Sequence, residues 1–339
     1  MGPKFIKKLA IRVCTDSNYG KGHLTRCIAI RSFIKFKTTW YIDLKDHEII
    51  NMIPEKDKIV IEGNASSCIK IKSDIKKKNI SMVLLDSSAI SNVEYLKIKK
   101  NVPLVIISDL IKTINADLTI YPHPVSHQFS KKSNFLKGLK YSLIRKNYRS
   151  EYNFKDYKKK EFNILISMGA IDKAGVTLTA VKTVKKILRN TSYKLKIFIV
   201  LGSNSPLKTH VRSALNLEKS FKIVVNPKDM RFLYCKTTLA IGAPGQSQIE
   251  RLVFGIPSIL VSQNKIHKPL IRQWVKLGCS LQADNTVYSL YKKIYFLLSN
   301  RESLKKKQIK SKNIIDGLGA LRVTSNMSKV ILNDKISIH

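Results

Sequence analysis

Short apolar runs alternate along this chain with longer segments that carry apolar residues at helical spacing. Apolar runs bounded by polar or glycine-containing segments are typical of buried strands, and the periodic segments between them are typical of helices. Strands are predicted at residues 8–14, 38–43, 58–61, 81–86, 104–108, 117–120, 163–167, 194–201, 222–225, 239–241 and 258–262. Helices are predicted at residues 22–35, 66–78, 92–100, 176–188, 208–216, 246–254 and 269–276, with two or three more between 287 and 339.

The order of these elements predicts an α/β fold built on parallel sheets, because continuous apolar strands separated by helices are buried on both faces. The polar stretch 146–160 interrupts the alternation and predicts a linker. We therefore expect two Rossmann-like domains, residues 1–150 and residues 160–339. Two such domains would form an interdomain cleft at the carboxyl ends of their strands, where folds of this kind bind ligands.

A loop with two glycines and a histidine follows the first predicted strand. Gly20, Gly22 and His23 come where the next helix should begin, and the unpaired N–H groups of a helix N-terminus can bind an anion. The spacing Gly-x-Gly-His differs from the Gly-x-Gly-x-x-Gly of dinucleotide-binding loops. One interpretation is a phosphorylated substrate beside an imidazole that acts as a base or an orienting group. The other is a strand–loop–helix turn that binds nothing.

A second glycine loop joins the strand at 239–241 to the helix at 246–254. Gly245 permits close approach of a ligand to the backbone, and Ser247 could donate a hydrogen bond to a phosphate. Glu250 lies one turn further along, where its carboxylate could accept both hydroxyls of a ribose. Alternatively, Ser247 and Glu250 form an ordinary capping box at the start of the helix.

The chain of 339 residues is strongly basic, because 62 Lys and Arg against 23 Asp and Glu give a net charge of +39. Such a charge is typical of proteins that bind nucleic acid or an anionic membrane. The lysines are spread along the chain, however, and none of their clusters is interleaved with aromatic residues as in RNA- or DNA-binding modules. We expect no nucleic-acid partner and at most a weak association with an anionic membrane surface.

The cysteines and the apolar runs bear on location. No apolar run is long enough for a transmembrane helix, and we expect neither a membrane span nor a secretory signal peptide. The five cysteines are scattered singly, without Cys-x-x-Cys or zinc-type spacing. This usage predicts a reducing, cytoplasmic compartment.

Five segments resemble those of a known family and occur in the same order as in that family. They are 20–27 (GKGHLTRC), 138–145 (GLKYSLIR), 169–172 (GAID), 226–230 (NPKDM) and 240–257. The chain is similar through them to the UDP-2,4-diacetamido-2,4,6-trideoxy-β-L-altropyranose hydrolases of pseudaminic acid biosynthesis. The second half of that family resembles in turn the N-acetylglucosaminyltransferase of peptidoglycan synthesis.

The resemblance implies a GT-B-like fold and hydrolysis of a UDP-sugar at its anomeric carbon by water, with inversion and without a metal or another cofactor. His23 would be the catalytic residue that activates or orients the water. Gly245 and Ser247 would hold the diphosphate, Glu250 the ribose, and the segment 226–230 would lie near the uracil. The substrate-binding residues would be Gly20, Gly22, Arg26, Gly169, Asn226, Met230, Gly245, Ser247 and Glu250.

The part of the chain expected to bind the sugar departs from the family pattern. Residues 86–88 are Asp-Ser-Ser where the family has Asp-His-Tyr, and residues 108–109 are Ser-Asp where the family has paired aspartates. Three alternatives stay open: another UDP- or CMP-linked sugar, a GT-B glycosyltransferase with a UDP-sugar donor, and a non-catalytic relative. His123 and His127 in a following loop either line the site or are simply exposed.

Overall fold

The chain folds into two compact units. The computed structural model describes residues 7–15, 21–109, 115–125, 134–148, 161–215, 218–265 and 267–336. One unit comprises residues 1–146 and 317–339, and the other comprises residues 147–316. Each unit is built on one parallel sheet covered by helices, which confirms the predicted α/β class and the two Rossmann-like halves. No described helix combines the length and the apolarity that crossing a membrane requires.

The described part of the first unit contains a seven-stranded sheet with the order β3-β2-β1-β4-β5-β6-β7. Its strands are β1 (Lys8–Val13), β2 (Lys37–Ile42), β3 (Lys58–Ile61), β4 (Met82–Asp86), β5 (Leu104–Ile107), β6 (Leu118–Tyr121) and β7 (Phe135–Lys137). Its helices are α1 (Gly22–Arg31), α2 (His47–Ile50), α3 (Ile69–Lys77), α4 (Asn92–Lys99) and, from the end of the chain, α12 (Gly319–Ile336).

The described part of the second unit contains a six-stranded sheet with the order β10-β9-β8-β11-β12-β13. Its strands are β8 (Glu161–Ser167), β9 (Lys194–Leu201), β10 (Phe221–Val225), β11 (Leu239–Gly242), β12 (Ser258–Val261) and β13 (Ser280–Ala283). Its helices are α5 (Val176–Asn190), α6 (Lys208–Leu215), α7 (Arg231–Tyr234), α8 (Gln246–Val253), α9 (His267–Lys276), α10 (Val287–Ser299) and α11 (Arg301–Ile314).

The first sheet is buried on both faces because successive side chains of a strand point to opposite sides. Leu9 and Ile11 of β1 belong to a core that includes residues of α1 and α12. Ala10, between them, belongs to a second core that includes residues of α3 and α4. The continuous apolar strands read from the sequence therefore correspond to a central sheet between two helical layers.

The predicted strand bounds agree with the structure to within two residues. The prediction was less complete for short and edge elements: it omitted α2, α7, β7 and β13. β13, at one edge of the second sheet, has Leu281 half-buried and Gln282 exposed. It therefore lacks the continuous apolar run of the inner strands. Edge strands are covered on fewer sides, and hydrophobic patterning therefore marks them weakly.

The sequence prediction placed the end of the chain in the second domain, residues 160–339. In the structure α12 belongs to the first unit instead. It buries Ala320, Val323 and Met327 in the core that also holds residues of α1. Its N-terminal end lies against the short 3₁₀ helix Leu139–Tyr141, where Arg322 Nη1 donates to Lys140 O over 2.9 Å. An amphipathic pattern shows that a helix covers a sheet but does not show which sheet it covers.

We predict that Gly319→Ala destabilises the first unit. A β-carbon at this position would lie 2.2 Å from Ser142 O and 2.6 Å from Ser142 N, both of them backbone atoms that can yield only if α12 shifts. Overpacking of this kind costs about 1–3 kcal/mol, which urea denaturation would measure. Ser325→Ala, at an exposed position of the same helix, is the matched control and should change the free energy of unfolding by less than about 0.5 kcal/mol. Equal stabilities of the two variants would contradict the packing described for α12.

Candidate functional site

The strand order reverses once in each sheet, between β1 and β4 in the first and between β8 and β11 in the second. At such a point the two connections leave toward opposite faces of the sheet, and a crevice forms at the carboxyl ends of the strands. Predicted site residues follow the strands at both reversals: His23 comes after β1, Gly169 after β8 and Gly245 after β11.

His23 lies in the first turn of α1, where it meets the last residue of β4. Its Nδ1 is 2.6 Å from Oδ1 of Asp86, whose side chain is fully buried. Burial would raise the pKa of Asp86, but the charge of Arg26 and the contact with His23 hold it below its usual value. Because an ionised carboxylate only accepts hydrogen bonds, we assign the proton to Nδ1. In this tautomer Nε2 carries a lone pair and can act as a base.

Arg26, one turn further along α1, holds two carboxylates at once. Its Nε donates to Asp86 Oδ2 over 2.6 Å, and its Nη2 donates to Asp86 Oδ1 over 2.7 Å. The same guanidinium bonds Asp109, which follows β5, through Nη1 and Nη2. Burial alone would lower the pKa of Arg26, but Asp109 and Asp86 raise it well above its ordinary value. Arg26, predicted from the sequence to bind substrate, thus fixes the position of Asp86, the carboxylate that orients His23.

A second histidine is attached to this cluster. Nε2 of His123, which follows β6, lies 2.8 Å from Asp109 Oδ1. The imidazole is buried, whereas the carboxylate side chain of Asp109 is 41% exposed. Its partial removal from water would raise the pKa of Asp109, but the charge of Arg26 and the hydrogen bonds of His123 and Arg26 hold that pKa well below the usual range. Of the two interpretations given for His123, burial within the cluster excludes simple exposure.

Hydrogen bonds hold the residues that follow β1 beside this cluster. Cys14 N donates to Asp86 O over 3.0 Å, and Thr15 N donates to Asp43 Oδ2 over 2.6 Å. Asp43 in turn forms a fully buried ion pair with Arg12 at 2.7 Å. These contacts fix the two residues that follow β1, and α1 begins at Gly22. Gly20 and His127 lie outside the described residues.

In the second unit, α8 begins at Gln246 with Gly245 as its N-cap, a residue that has no side chain with which to cap the helix. Ser247 therefore lies inside the helix, and the capping box considered for Ser247 and Glu250 is wrong. A β-carbon at Gly245 would meet no atom of a described residue within 4 Å, so those residues leave room for close approach to the backbone there. These features suit an anion-binding helix N-terminus.

Glu250 is buried, and its Oε2 accepts a hydrogen bond from Tyr234 Oη over 3.1 Å. Burial, followed by the Glu250 charge, raises the pKa of Tyr234 well above its ordinary value, so the phenol keeps its proton. Tyr234 packs edge-on against Tyr148, with ring centroids 6.2 Å apart, and Met230 N donates to Tyr148 Oη over 3.3 Å. The two tyrosines thus connect two predicted site residues, Met230 and Glu250.

The other predicted residues of this unit also lie in loops at the carboxyl ends of strands. Asn226 follows β10 in a left-handed conformation (φ 43°), and its N–H donates to Leu201 O over 2.8 Å. Gly169 follows β8 with φ 91°, a value that favours glycine. Gln263 Nε2 donates to Met168 O over 2.7 Å and joins the loops that follow β12 and β8.

Sequence reasoning did not assign roles to Asp86, Asp109, Tyr148 or Tyr234. Asp86 ends a strand and Asp109 follows one, and both were named only in the comparison with the family pattern; their position at the carboxyl ends of strands could have placed them at one edge of the sheet. Tyr148 fell within the predicted linker. Among the described residues, no three His, Cys, Asp or Glu side chains are placed to hold a metal ion.

No protein-family model matches the chain. The spore coat polysaccharide biosynthesis protein SpsG of Bacillus subtilis is 21% identical over 334 residues, covering 93% of this chain and 96% of SpsG. The Methanocaldococcus jannaschii protein MJ1062 is 23% identical over 302 residues, covering 79% of this chain and 58% of MJ1062. The match therefore includes little more than half of the archaeal protein.

Solved structures resemble the chain over nearly its whole length. MurG of Acinetobacter baumannii has a TM-score of 0.69 at 15% identity, covering 95% of this chain and 99% of MurG. MnaA of S. aureus with UDP has a TM-score of 0.70 at 13% identity, covering 96% and 97%. UDP-GlcNAc 2-epimerase from Neisseria meningitidis bound to UDP-GlcNAc has a TM-score of 0.65 at 12% identity, covering 95% and 100%. The fold is therefore GT-B-like.

The lowered pKa values of Asp86 and Asp109 predict an acid-sensitive cluster. The unfolded chain takes up protons near pH 3.9, above the folded pKa of either carboxylate, so their stabilisation is complete well above pH 4 and is lost as pH falls through the folded values. Asp109→Asn should therefore destabilise the protein most at pH 7 and progressively less toward pH 3, as measured by urea denaturation. A destabilisation that is constant with pH would contradict the ionised pairing of Asp109 with Arg26.

Proposed function

We propose that the protein is an enzyme that hydrolyses a UDP-sugar, releasing UDP and a free sugar. The observation that carries this proposal is the Asp86–His23 pair at the reversal point of the first sheet, with Nδ1 and Oδ1 2.6 Å apart. A histidine oriented by a buried carboxylate is the arrangement that general-base catalysis uses repeatedly. The substrate that we propose is a UDP-diacetamido-trideoxy-hexose on the route to a pseudaminic-type nonulosonic acid.

In the proposed reaction, Nε2 of His23 accepts a proton from water while the water oxygen attacks the anomeric carbon. The bond from that carbon to the diphosphate oxygen breaks, and UDP leaves with the electron pair. Asp86 stabilises the imidazolium that forms and keeps the ring in the reactive tautomer. Attack from the face opposite the leaving group would invert the anomeric centre. The leaving diphosphate is a stable dianion or trianion, so its charge needs stabilisation more than it needs a general acid.

The second unit would bind the nucleotide. The open backbone at Gly245 and the uncapped N-terminus of α8 suit a diphosphate, with Ser247 as a further donor. Glu250, held by Tyr234, would accept the ribose hydroxyls, and Asn226 and Met230 would lie near the uracil. Support comes from the similar structures, because MnaA is described with UDP and the Neisseria epimerase with UDP-GlcNAc. SpsG similarity favours a role in making a polysaccharide or one of its sugars.

A glycosyltransferase is the second candidate, and the likeness to MurG and to other glycosyltransferases favours it. The Asp86–His23 pair would then remove the proton from an acceptor hydroxyl instead of water. Both reactions release UDP from the same donor, so UDP release alone does not separate them. The fate of the sugar does.

The decisive experiment incubates the purified protein with a panel of UDP-sugars that includes the diacetamido-altrose compound, and follows UDP and sugar by NMR. We expect free sugar of inverted anomeric configuration to form in water, and His23→Asn to lower kcat by at least about 100-fold. The asparagine amide can still donate to Asp86, so this variant removes the base while preserving the hydrogen bond.

The affinity of His23→Asn for UDP is the internal control and should stay within about twofold of wild type, because the nucleotide is assigned to the other unit. Full activity of a folded His23→Asn protein would exclude the role proposed for His23. UDP release only when a sugar acceptor is added would establish the transferase instead. UDP binding without turnover of any donor, with or without acceptors, would indicate a non-catalytic relative.

Asp86→Asn should lower kcat by about 10²–10⁴-fold, because an amide no longer fixes the reactive tautomer or balances the imidazolium. Asp57→Asn provides the matched control. Asp57 is likewise buried and accepts two bonds from an arginine of α1, Arg31, at 2.6 and 2.8 Å. It precedes β3 and so lies at the amino end of the sheet. Both variants should lose stability, but only Asp86→Asn should lose turnover per folded molecule; equal losses of kcat would contradict the pairing with His23.

A further inference from the structure

A fully buried guanidinium lies beneath the loop that joins β11 to α8. Arg251 Nε donates to Ser258 Oγ over 3.0 Å, and its Nη2 donates to Gln248 Oε1 over 2.9 Å. Nη2 also donates to Ala243 O, within the loop itself, over 2.7 Å. Nη1 has no hydrogen-bond partner among the described residues. It lies against Gly242, where a β-carbon would come within 2.6 Å of it.

The partners of Arg251 are neutral. No carboxylate oxygen of a described residue lies within 4.0 Å of its nitrogens, whereas the other buried arginines, Arg12, Arg26 and Arg31, each form an ion pair. Burial lowers the pKa of Arg251 to about 10, while nearby Tyr234 and Glu250 oppose the shift. The group is still charged at neutral pH. A buried charge without a direct ion pair is costly, and a bound ligand of opposite charge would offset that cost.

The loop above Arg251 is held from below at two successive carbonyls. Arg251 Nη2 donates to Ala243 O, and Trp274 Nε1 donates to Pro244 O over 2.9 Å. The peptide that follows Pro244 is trans, so the N–H of Gly245 points away from the Trp274 side. The two buried side chains thus hold this N–H on the side of the loop opposite Trp274, and a β-carbon at Gly245 would meet no atom of a described residue within 4 Å.

We propose that Arg251 is a positioning residue for a diphosphate bound at Gly245–Ser247, and that its buried positive charge finds its counter-charge in that ligand. This inference rests on the proposed nucleotide-binding role of the second unit. Arg251 acts through the loop backbone and through its field, which is strong in a low-dielectric interior, without touching the ligand. Its effect should therefore depend on the diphosphate and not on the nucleoside.

The test compares calorimetric affinities of the full-length protein for UDP and for uridine. Arg251→Gln should weaken UDP binding at least tenfold and change uridine binding less than twofold. Arg251→Lys keeps the charge and should recover most of the UDP affinity. Trp274→Phe removes the other loop hydrogen bond without removing charge, so its ratio of UDP to uridine affinity should fall by a smaller factor than that of Arg251→Gln. Equal falls in the two variants would contradict a role for the charge.

Arg251→Met, which removes the charge and keeps an apolar stem, replaces the glutamine variant if that protein does not fold. Loss of UDP and uridine affinity by the same factor would overturn the inference in favour of a purely structural role, and so would unchanged UDP affinity in a folded variant. Wild-type protein that binds uridine and UDP equally well would overturn the inference but leave nucleoside recognition intact. Wild-type protein that binds neither would overturn the proposed function as well.

Discussion

One guanidinium holds the first unit's site together. Arg26 bonds Asp86 at the end of β4 and Asp109 after β5, and so ties α1 to two strands at the carboxyl edge of the sheet. Asp86 is fully buried and would be protonated in an apolar site without a cation beside it. A protonated Asp86 could no longer hold His23 in the tautomer that leaves Nε2 basic. The chemistry assigned to His23 therefore depends on an arginine that need not contact the substrate.

The same helix carries a second guanidinium–carboxylate pair with a different consequence. Arg31, the last residue of α1, bonds Asp57, which also accepts from Trp40 Nε1 over 2.9 Å. That pair anchors the helix at the amino edge of the sheet, away from the loops that bind ligands in such folds. With both of its ends fixed by buried charges, α1 presents His23 on a rigid element, and a rigid mounting is what a positioned base requires.

Local patterning was enough to predict the inner strands of both sheets and the loop before α8, because each depends on neighbours in sequence. The partners of His23 could not be predicted in this way. Asp86 is 63 residues away and Asp109 is 83 residues from Arg26, so only the strand order brings them to one edge. The return of α12 to the first unit has the same origin. Tyr148 was hidden within a polar stretch, although its ring packs against Tyr234 beside Glu250.

The two buried arginines near the sheet edges, Arg26 and Arg251, carry opposite electrostatic signatures. Arg26 faces two carboxylates, and its pKa is raised because the protein already supplies its counter-charges. Arg251 donates only to neutral acceptors, and burial lowers its pKa to about 10 although the charge of Glu250 partly opposes the shift. One guanidinium against two carboxylates leaves the first cluster with a net negative charge, which suits a site where an imidazole takes up a proton because that charge stabilises the imidazolium. An unbalanced cation beneath an open glycine loop suits the binding of an anion and the stabilisation of charge on a departing diphosphate. The proposed assignment of proton transfer to the first unit and of nucleotide binding to the second thus agrees with the excess of carboxylates around Arg26 and with the lack of an ion pair at Arg251.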